Sequence, residues 1–245
     1  MKLENKTIVL TGASSGVGLD ILRQIGPANR VIGLSRNAPP DEVIQGAQSY
    51  THIATDLADA NSVAEAVQEV VKRHQDAIDG LINCGAVQFT PRFVDPEFDS
   101  SLIAKEIAIN LTSPIELIAA LIANLSAGKD PFIMNINSGL GIVPKHESAV
   151  YCATKAALDN FSRGLRAQLA GTDIVVQQAF LPLVDTPMTA GRGTGKLTSE
   201  QVASQIIGAI ERRGPDTDIG KVKLLRFINR ISPTLAHRIM QKGVS

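Results

Sequence analysis

Residues 7–25 constrain the fold more than any other stretch of the chain. Thr7-Ile8-Val9-Leu10 is short and apolar, as a buried strand is, and Leu19-Asp20-Ile21-Leu22-Arg23-Gln24-Ile25 has the apolar spacing of a helix. Between them lies Thr11-Gly12-Ala13-Ser14-Ser15-Gly16-Val17-Gly18. A strand that turns on glycines straight into a helix opens a βαβ unit. Gly12 permits the tight turn, while Gly16 and Gly18 let backbone approach a ligand and let helix pack on strand. The helix start offers free N–H groups and a positive dipole end, which suit phosphate. In that context the pattern predicts a dinucleotide site, with Gly12, Ser14, Ser15, Gly16, Val17 and Gly18 as cofactor contacts.

The remaining chain repeats the alternation. Apolar runs at Thr7–Leu10, Arg30–Leu34, Tyr50–Ala54, Gly80–Asn83, Pro131–Asn135 and Asp173–Phe180 read as strands. Helical patterns cover 17–25, 61–74, 100–126, 149–170 and 199–212, with a short piece at 41–46. No repeat, low-complexity tract or linker divides them. The expected fold is therefore α/β, one Rossmann domain over residues 1–245 whose doubly wound parallel sheet carries helices on both faces. Ligands of such sheets bind beyond the carboxyl ends of the strands. Arg36, Asp56, Asn83, Ser138 and Pro182 each follow a predicted strand, which is the geometry of a ligand crevice.

Composition narrows the class. At 245 residues and 44% hydrophobic, the chain can bury a sizeable core. No apolar run reaches the ~20 residues that cross a bilayer. The start, Met1-Lys2-Leu3-Glu4-Asn5-Lys6, has no apolar targeting segment, so a cytoplasmic product is expected. Cys84 and Cys152 lie far apart and read as packing residues, and the histidines at 52, 74, 146 and 237 suggest no metal site.

Ser138, Tyr151 and Lys155 form Ser-x12-Tyr-x3-Lys. With Thr11-Gly12-x3-Gly16-x-Gly18, Asp56-Leu57, Asn83-Cys84-Gly85-Ala86, Asn110 and Pro182 through Thr186, they make the chain resemble the short-chain dehydrogenase/reductase family, in its compact single-domain branch. The resemblance covers roughly residues 5–215. It implies an oxidoreductase that moves a hydride between a nicotinamide cofactor and a carbonyl or alcohol, in the manner of a carbonyl reductase. It also implies catalytic roles for Ser138, Tyr151, Lys155 and Asn110, with Asn110 holding a water that links Lys155 to solvent.

The chemistry of these residues fits. Tyr151 and Lys155 are four apart on one helix face. A free tyrosine has a pKa near ~10, and a neighbouring ammonium lowers it toward working pH. Ser138 can donate to a carbonyl oxygen that becomes an alkoxide. At the end of the second strand, Ser35-Arg36-Asn37 contains no acid. Arg36 can pair a 2′-phosphate bidentately, with Ser35 and Asn37 as further donors, which favours NADP over NAD. Stacking of Arg36 on adenine is the alternative. Asp56 and Leu57 are expected at the adenine, Asn83 and Gly85 at the cofactor's inner face, and Pro182, Val184 and Thr186 at the carboxamide, beside Tyr151 and Lys155. Cys84 and the Gly85-Ala86 order depart from the family's usual Asn-Asn-Ala-Gly, and Pro182-Leu183 from its Pro-Gly.

Residues 187–197, with three glycines, read as a mobile substrate loop. Segments 87–98 and 139–148 form the facing wall, with Phe89, Phe93, Val143 and His146 suited to an apolar carbonyl compound. Helix 100–126 is apolar around much of its circumference, which points to a homodimer or homotetramer. A cofactor-binding sensor or scaffold without turnover is the competing reading from another class. An epimerase or dehydratase of the extended branch is disfavoured by the glycine spacing and the short chain.

The C-terminus is asymmetric. Lys221, Lys223, Arg226, Arg230, Arg238 and Lys242 share residues 221–245 with no acid, whereas the first 220 residues hold 18 basic and 24 acidic groups. Leu224, Phe227, Ile228 and Ile231 fall at helical spacing. A helical arm packed on the subunit, basic face in water, is expected. Attachment to an anionic membrane or to an acidic carrier protein ranks behind it. Only Phe227 interleaves the basic residues, so no nucleic-acid partner is expected.

Overall fold

The computed structural model describes residues 1–73 and 77–241. The expected helix end at His74 and the sixth basic residue of the arm, Lys242, lie outside them. The chain runs β1 (Thr7–Thr11), α1 (Gly16–Ile25), β2 (Arg30–Ser35), α2 (Asp41–Gln45), β3 (Ser49–Ala54), α3 (Ala60–Arg73), β4 (Gly80–Asn83), α4 (Leu102–Ile107) and α5 (Ser113–Ser126). It continues through β5 (Phe132–Ser138), α6 (Ala149–Gln168), β6 (Val175–Leu181), β7 (Val184–Asp185), β8 (Leu197–Thr198), α7 (Ser199–Arg212), β9 (Asp216–Asp218), α8 (Val222–Ile231) and α9 (Pro233–Gln241).

Seven strands form one parallel sheet in the order β3-β2-β1-β4-β5-β6-β9. Strands buried on both faces need apolar side chains on both, which is why β1 and β4 read as unbroken apolar runs. Ile8 and Leu10 belong to the core layer under α1 and α7; Val9 points into the opposite layer with Leu117, Leu121 and Leu125 of α5. The order reverses between β1 and β4, so the crevice opens there.

Three elements differ from the sequence reading in ways that matter. Strand β5 runs on to Ser138, so the serine ends the strand and does not follow it. Strand β9, at the sheet edge beside β6, has no apolar pattern to announce it. Helix 100–126 is interrupted: residues Ala108–Thr112 widen into a π-turn between α4 and α5. Pro114 explains the break, because it has no N–H to give the carbonyl of Asn110 four residues earlier. The span Leu102–Ser126, with mean hydropathy 1.5, is also long and apolar enough to cross a bilayer, contrary to expectation. Leu117, Ile118, Leu121 and Leu125 are nevertheless packed on the sheet.

The arm is the largest departure. It is helical, but its apolar row is not packed on the subunit: Leu224, Phe227 and Ile231 are each about two-thirds exposed. Val222 and Ala236 are its buried anchors. Arg226 provides a third, with Nε and Nη2 donating to the two carboxylate oxygens of Asp218 at 2.7 and 2.8 Å, and the guanidinium 4.3 Å over the Phe180 ring. Polar and cation–π contacts thus join Val222 in holding α8, whose Leu224, Phe227 and Ile231 turn outward.

Candidate active site

A cleft of about 1490 Å³ lies across the carboxyl ends of the strands. That exceeds the usual few hundred to ~1,000 Å³ of a one-ligand pocket, leaving room for a dinucleotide and a second molecule. Its floor is bare backbone. Gly12 adopts φ +73°, and a Cβ there would stand 2.8 Å from Gly85 Cα; a Cβ on Gly18 would stand 2.2 Å from Gly12 O. The turn closes only without side chains at those positions. Thr11 fixes the neighbouring loop, its Oγ1 accepting from the N–H groups of Cys84 and Gly85, both at 2.9 Å. Helix α1 points its N-terminus into the cleft. Ser15 caps it without a side-chain hydrogen bond, and no acid lies in its first turn, so the positive end is uncompensated.

Helix α6 and strand β5 carry the reactive groups. Small and apolar residues seat α6 on the sheet at Cys152, Leu158 and Ser162, which are buried, while Ala153 and Ala156 face outward. The helix begins at Ser148, whose φ of +56° is unusual for a non-glycine residue. Lys155 is buried; its Nζ donates to Ile136 O at 2.8 Å and stands 5.8 Å from the centroid of the Tyr151 ring. Burial lowers the Lys155 ammonium from 10.5 to about 8. Tyr151 moves oppositely to the sequence expectation: desolvation pushes its phenol up to about 12, and the nearby Ser138 hydroxyl only partly offsets it. Loss of water around the phenolate outweighs any help from the lysine, so Tyr151 is a protonated group at neutral pH. The Ser138 hydroxyl accepts from Leu140 N at 3.1 Å, which holds it at the strand end.

Gly12, Ser14, Ser15, Gly16, Val17, Gly18, Ser35, Arg36, Asn37, Asp56, Leu57, Gly85, Ser138, Tyr151, Lys155, Pro182, Val184 and Thr186 all line this one cleft. Two residues named from the sequence do not. Asn83 is buried below the cleft, its Nδ2 donating to Asn135 Oδ1 at 2.9 Å. Asn110 is also buried; its carboxamide accepts from Val87 N at 2.9 Å and donates to Val87 O at 2.8 Å. Asn83 ends β4, with its Oδ1 buried and without a partner, and Asn110 lies in the π-turn with its carboxamide turned to Val87. Ser35 lines the cleft, yet its hydroxyl donates to Asn37 O at 2.8 Å and is not a free donor. One carboxylate oxygen of Asp56 accepts from Ala58 N at 3.0 Å, closing a turn.

The substrate end differs more. Of the wall residues named from the sequence, His146 lines the cleft; Val143 is buried, and Phe89 and Phe93 line a separate small hollow. Residues 187–197 are ordered at their base by Val184–Leu197 and Asp185–Thr198 pairing, and Thr189 donates to Val184 O. Arg192 ties this loop to the opposite wall, donating to Gln88 Oε1 at 2.9 Å and to Met188 O; Gln88 Nε2 in turn donates to Ser148 Oγ at 3.1 Å. Gln88 and Arg192 carry no signal in the sequence, because their pairing spans 104 positions. Nor did it signal that Leu225, Ile228 and Met240 of the arm line the same cleft. Among the described residues no His, Cys, Asp and Glu cluster could hold a metal ion.

Comparison with known proteins identifies the family and the fold. The short chain dehydrogenase family model matches residues 6–196. The oxidoreductase DltE of Bacillus subtilis (strain 168) is 31% identical over 84% of this chain and 82% of its own length. A fatty acyl-CoA reductase of Acinetobacter baylyi is 29% identical over 98% of this chain and 85% of its own length. Among solved structures, a short chain dehydrogenase from Burkholderia cenocepacia in complex with NADP superposes with a TM-score of 0.85 at 20% identity, over 98% of this chain and 99% of that one. One from Sphingobium yanoikuyae in complex with NADPH gives a TM-score of 0.78 at 22% identity, over 94% and 95%. The chain belongs to the short-chain dehydrogenase family and is an oxidoreductase of that family.

Proposed function

We propose that this chain is an NADP(H)-dependent carbonyl reductase that also oxidises the corresponding alcohol. The observation that carries the reading is the convergence of Ser138, Tyr151 and Lys155 on the cleft that the glycine turn opens. A cradle that any Cβ would fill, an uncompensated helix N-terminus and an exposed Arg36 at the rim fit a phosphorylated dinucleotide. Bound there, NADPH would supply the hydride.

The chain's own residues supply positioning and the proton. Ser138 and Tyr151 hold the substrate oxygen, and charge arriving on that oxygen is stabilised by their hydroxyls. Tyr151, protonated because it is desolvated, then gives its proton to the alkoxide. Lys155 in its cationic form stabilises the phenolate left behind. Asn110 anchors the Val87 loop through its side chain, and Pro114 has no N–H to give its carbonyl, which fits a relay water there. Arg36 favours NADP(H), as do the NADP- and NADPH-bound structural neighbours. A non-catalytic sensor has no need of an intact Ser138, Tyr151 and Lys155 on one cleft.

Steady-state assays on aldehydes, ketones and dicarbonyls, with NADPH and NADH in parallel, test this reading. Turnover faster with NADPH supports it; tight NADPH binding with no turnover on any of them overturns it. The same reading includes a two-fold assembly in the cytoplasm. Ile107 on α4 is exposed, Leu111 and Ile115 are partly so, and Ala153 and Ala156 of α6 face outward. Light scattering at micromolar concentration should give a mass of at least twice 26.0 kDa.

A further inference from the structure

We infer that the C-terminal arm is a binding groove for the aliphatic tail of the substrate, so that the enzyme acts on long unbranched aldehydes or ketones. This rests on the carbonyl-reductase reading and assigns its substrate class. Helix α8 lies directly over the turn that follows the catalytic serine: a Cβ on Gly139 would stand 3.2 Å from Val222 Cγ2 and 3.4 Å from Leu225 Cδ2. From that turn outward, Leu225, Ile228, Ile239 and Met240 line the same cleft as Ser138 and Tyr151, with Met188 of the substrate loop facing them. The apolar lining is thus continuous with the reacting centre.

Three features select a hydrocarbon chain as occupant. The arm brings no acid among its described residues, and of its cations only Lys221, at the start of the arm, lines the cleft. Arg226, the cation nearest the middle of α8, is held on Asp218 and over Phe180. The groove is also open outward, where Ile239 is 42% exposed, so it sets no sharp limit on chain length. A chain laid there covers side chains that otherwise meet water, and burial of each methylene is worth up to about fourfold in affinity.

Two measurements on the full chain with NADPH test the groove. In the first, kcat/KM is followed from butanal to decanal. We expect a rise of about 30-fold or more for six added methylenes in a half-open groove. Ile228→Asp, and independently the surface variant Ile239→Asp, should reduce the decanal-to-butanal ratio to below about 3. In the second, calorimetry compares 1-dodecanol with 1-butanol on the enzyme–NADPH complex, which needs no turnover. Tighter dodecanol binding that both variants weaken supports the groove, even if no carbonyl is reduced, an outcome that sinks the reductase reading alone. Reduction of short carbonyls with no preference for dodecanol overturns the groove and leaves the reductase reading standing. An unchanged chain-length ratio, with the variants altering vesicle binding or mass instead, overturns it in favour of a lipid surface or a second copy.

Discussion

The two ends of the cleft are built on opposite principles. At the β1–β4 end, the floor is backbone, and the side chains beneath it are buried and held by partners inside the protein. Thr11 holds two amides, Asn83 is locked on Asn135, and Lys155 on Ile136. At the arm end, the side chains lining the cleft are mostly apolar and partly exposed. The first end is preorganised, which is what a fixed dinucleotide and a charge-developing reaction require. The second leaves apolar surface in water, a cost that a ligand or partner recovers by covering it. One fold thereby separates fixed chemistry from adjustable recognition.

The largest effect should come from the preorganised end. Tyr151→Phe is expected to lower kcat by about 10²–10⁴, the range for a lost general acid, while leaving NADPH binding within about twofold, since ring and packing are kept. Single-turnover kinetics with a carbonyl substrate and a direct NADPH titration separate the two. Near-normal kcat would mean that the proton comes from elsewhere.

Next in size is a stability effect of Lys155. Burial holds its folded-state pKa near 8 against 10.5 for the unfolded chain. Between those values the unfolded state binds more protons, so stability of the cofactor-free protein should rise with pH. From about pH 8 to about pH 10 the gain should be about 2–3 kcal/mol. Above about 10 the trend reverses, because Tyr151 is held up to about 12 and the unfolded chain then ionises first. Denaturant unfolding across that range should show the rise in the parent and not in Lys155→Met. A flat parent curve would mean that Lys155 is not a desolvated charge.

Arg36 lies at the rim of the same end and tests how far preorganisation extends. Arg36→Ala should weaken NADPH binding by about 1.5–3 kcal/mol, the range for bonds to a charged group, and leave NADH nearly unchanged. Asp41 also lines this end of the cleft, so comparing the two cofactors is what assigns the role. Equal losses for both would make Arg36 an adenine-stacking residue.

The same contrast decides what could be read from the chain. The glycine turn and the Ser-Tyr-Lys set were legible because strand, turn and helix signals are local, and because four-residue spacing on a helix guarantees a shared face. Asn83 lies below the cleft and not in its lining, because an amide at a strand end looks alike whether it faces a ligand or an internal partner such as Asn135. The Tyr151 pKa was misjudged because spacing reports a neighbouring charge and not the desolvation that outweighs it. The arm was legible as an amphipathic helix, yet which face it buries depends on Asp218 and Phe180, and on a cleft whose serine is more than 80 positions away in sequence.

The smallest expected effect sharpens the comparison from the arm side. Phe180 and Phe227 are the same residue type within one small region, Phe180 fully buried under Arg226 and Phe227 61% exposed on α8. Truncating a buried phenylalanine costs about 3–5 kcal/mol, because the transfer energy of the ring and the cavity both count. An exposed ring has neither to lose, so Phe227→Ser should change stability by less than about 0.5 kcal/mol. Helix propensity barely differs between the two residue types, so it cannot mask a packing term. Thermal unfolding of the variant at two protein concentrations is the measurement. A loss of 2 kcal/mol or more would show that the outer face of α8 is covered in solution. If that loss also grew with protein concentration, the cover would be a second copy of the chain, and the arm would belong with the preorganised end after all.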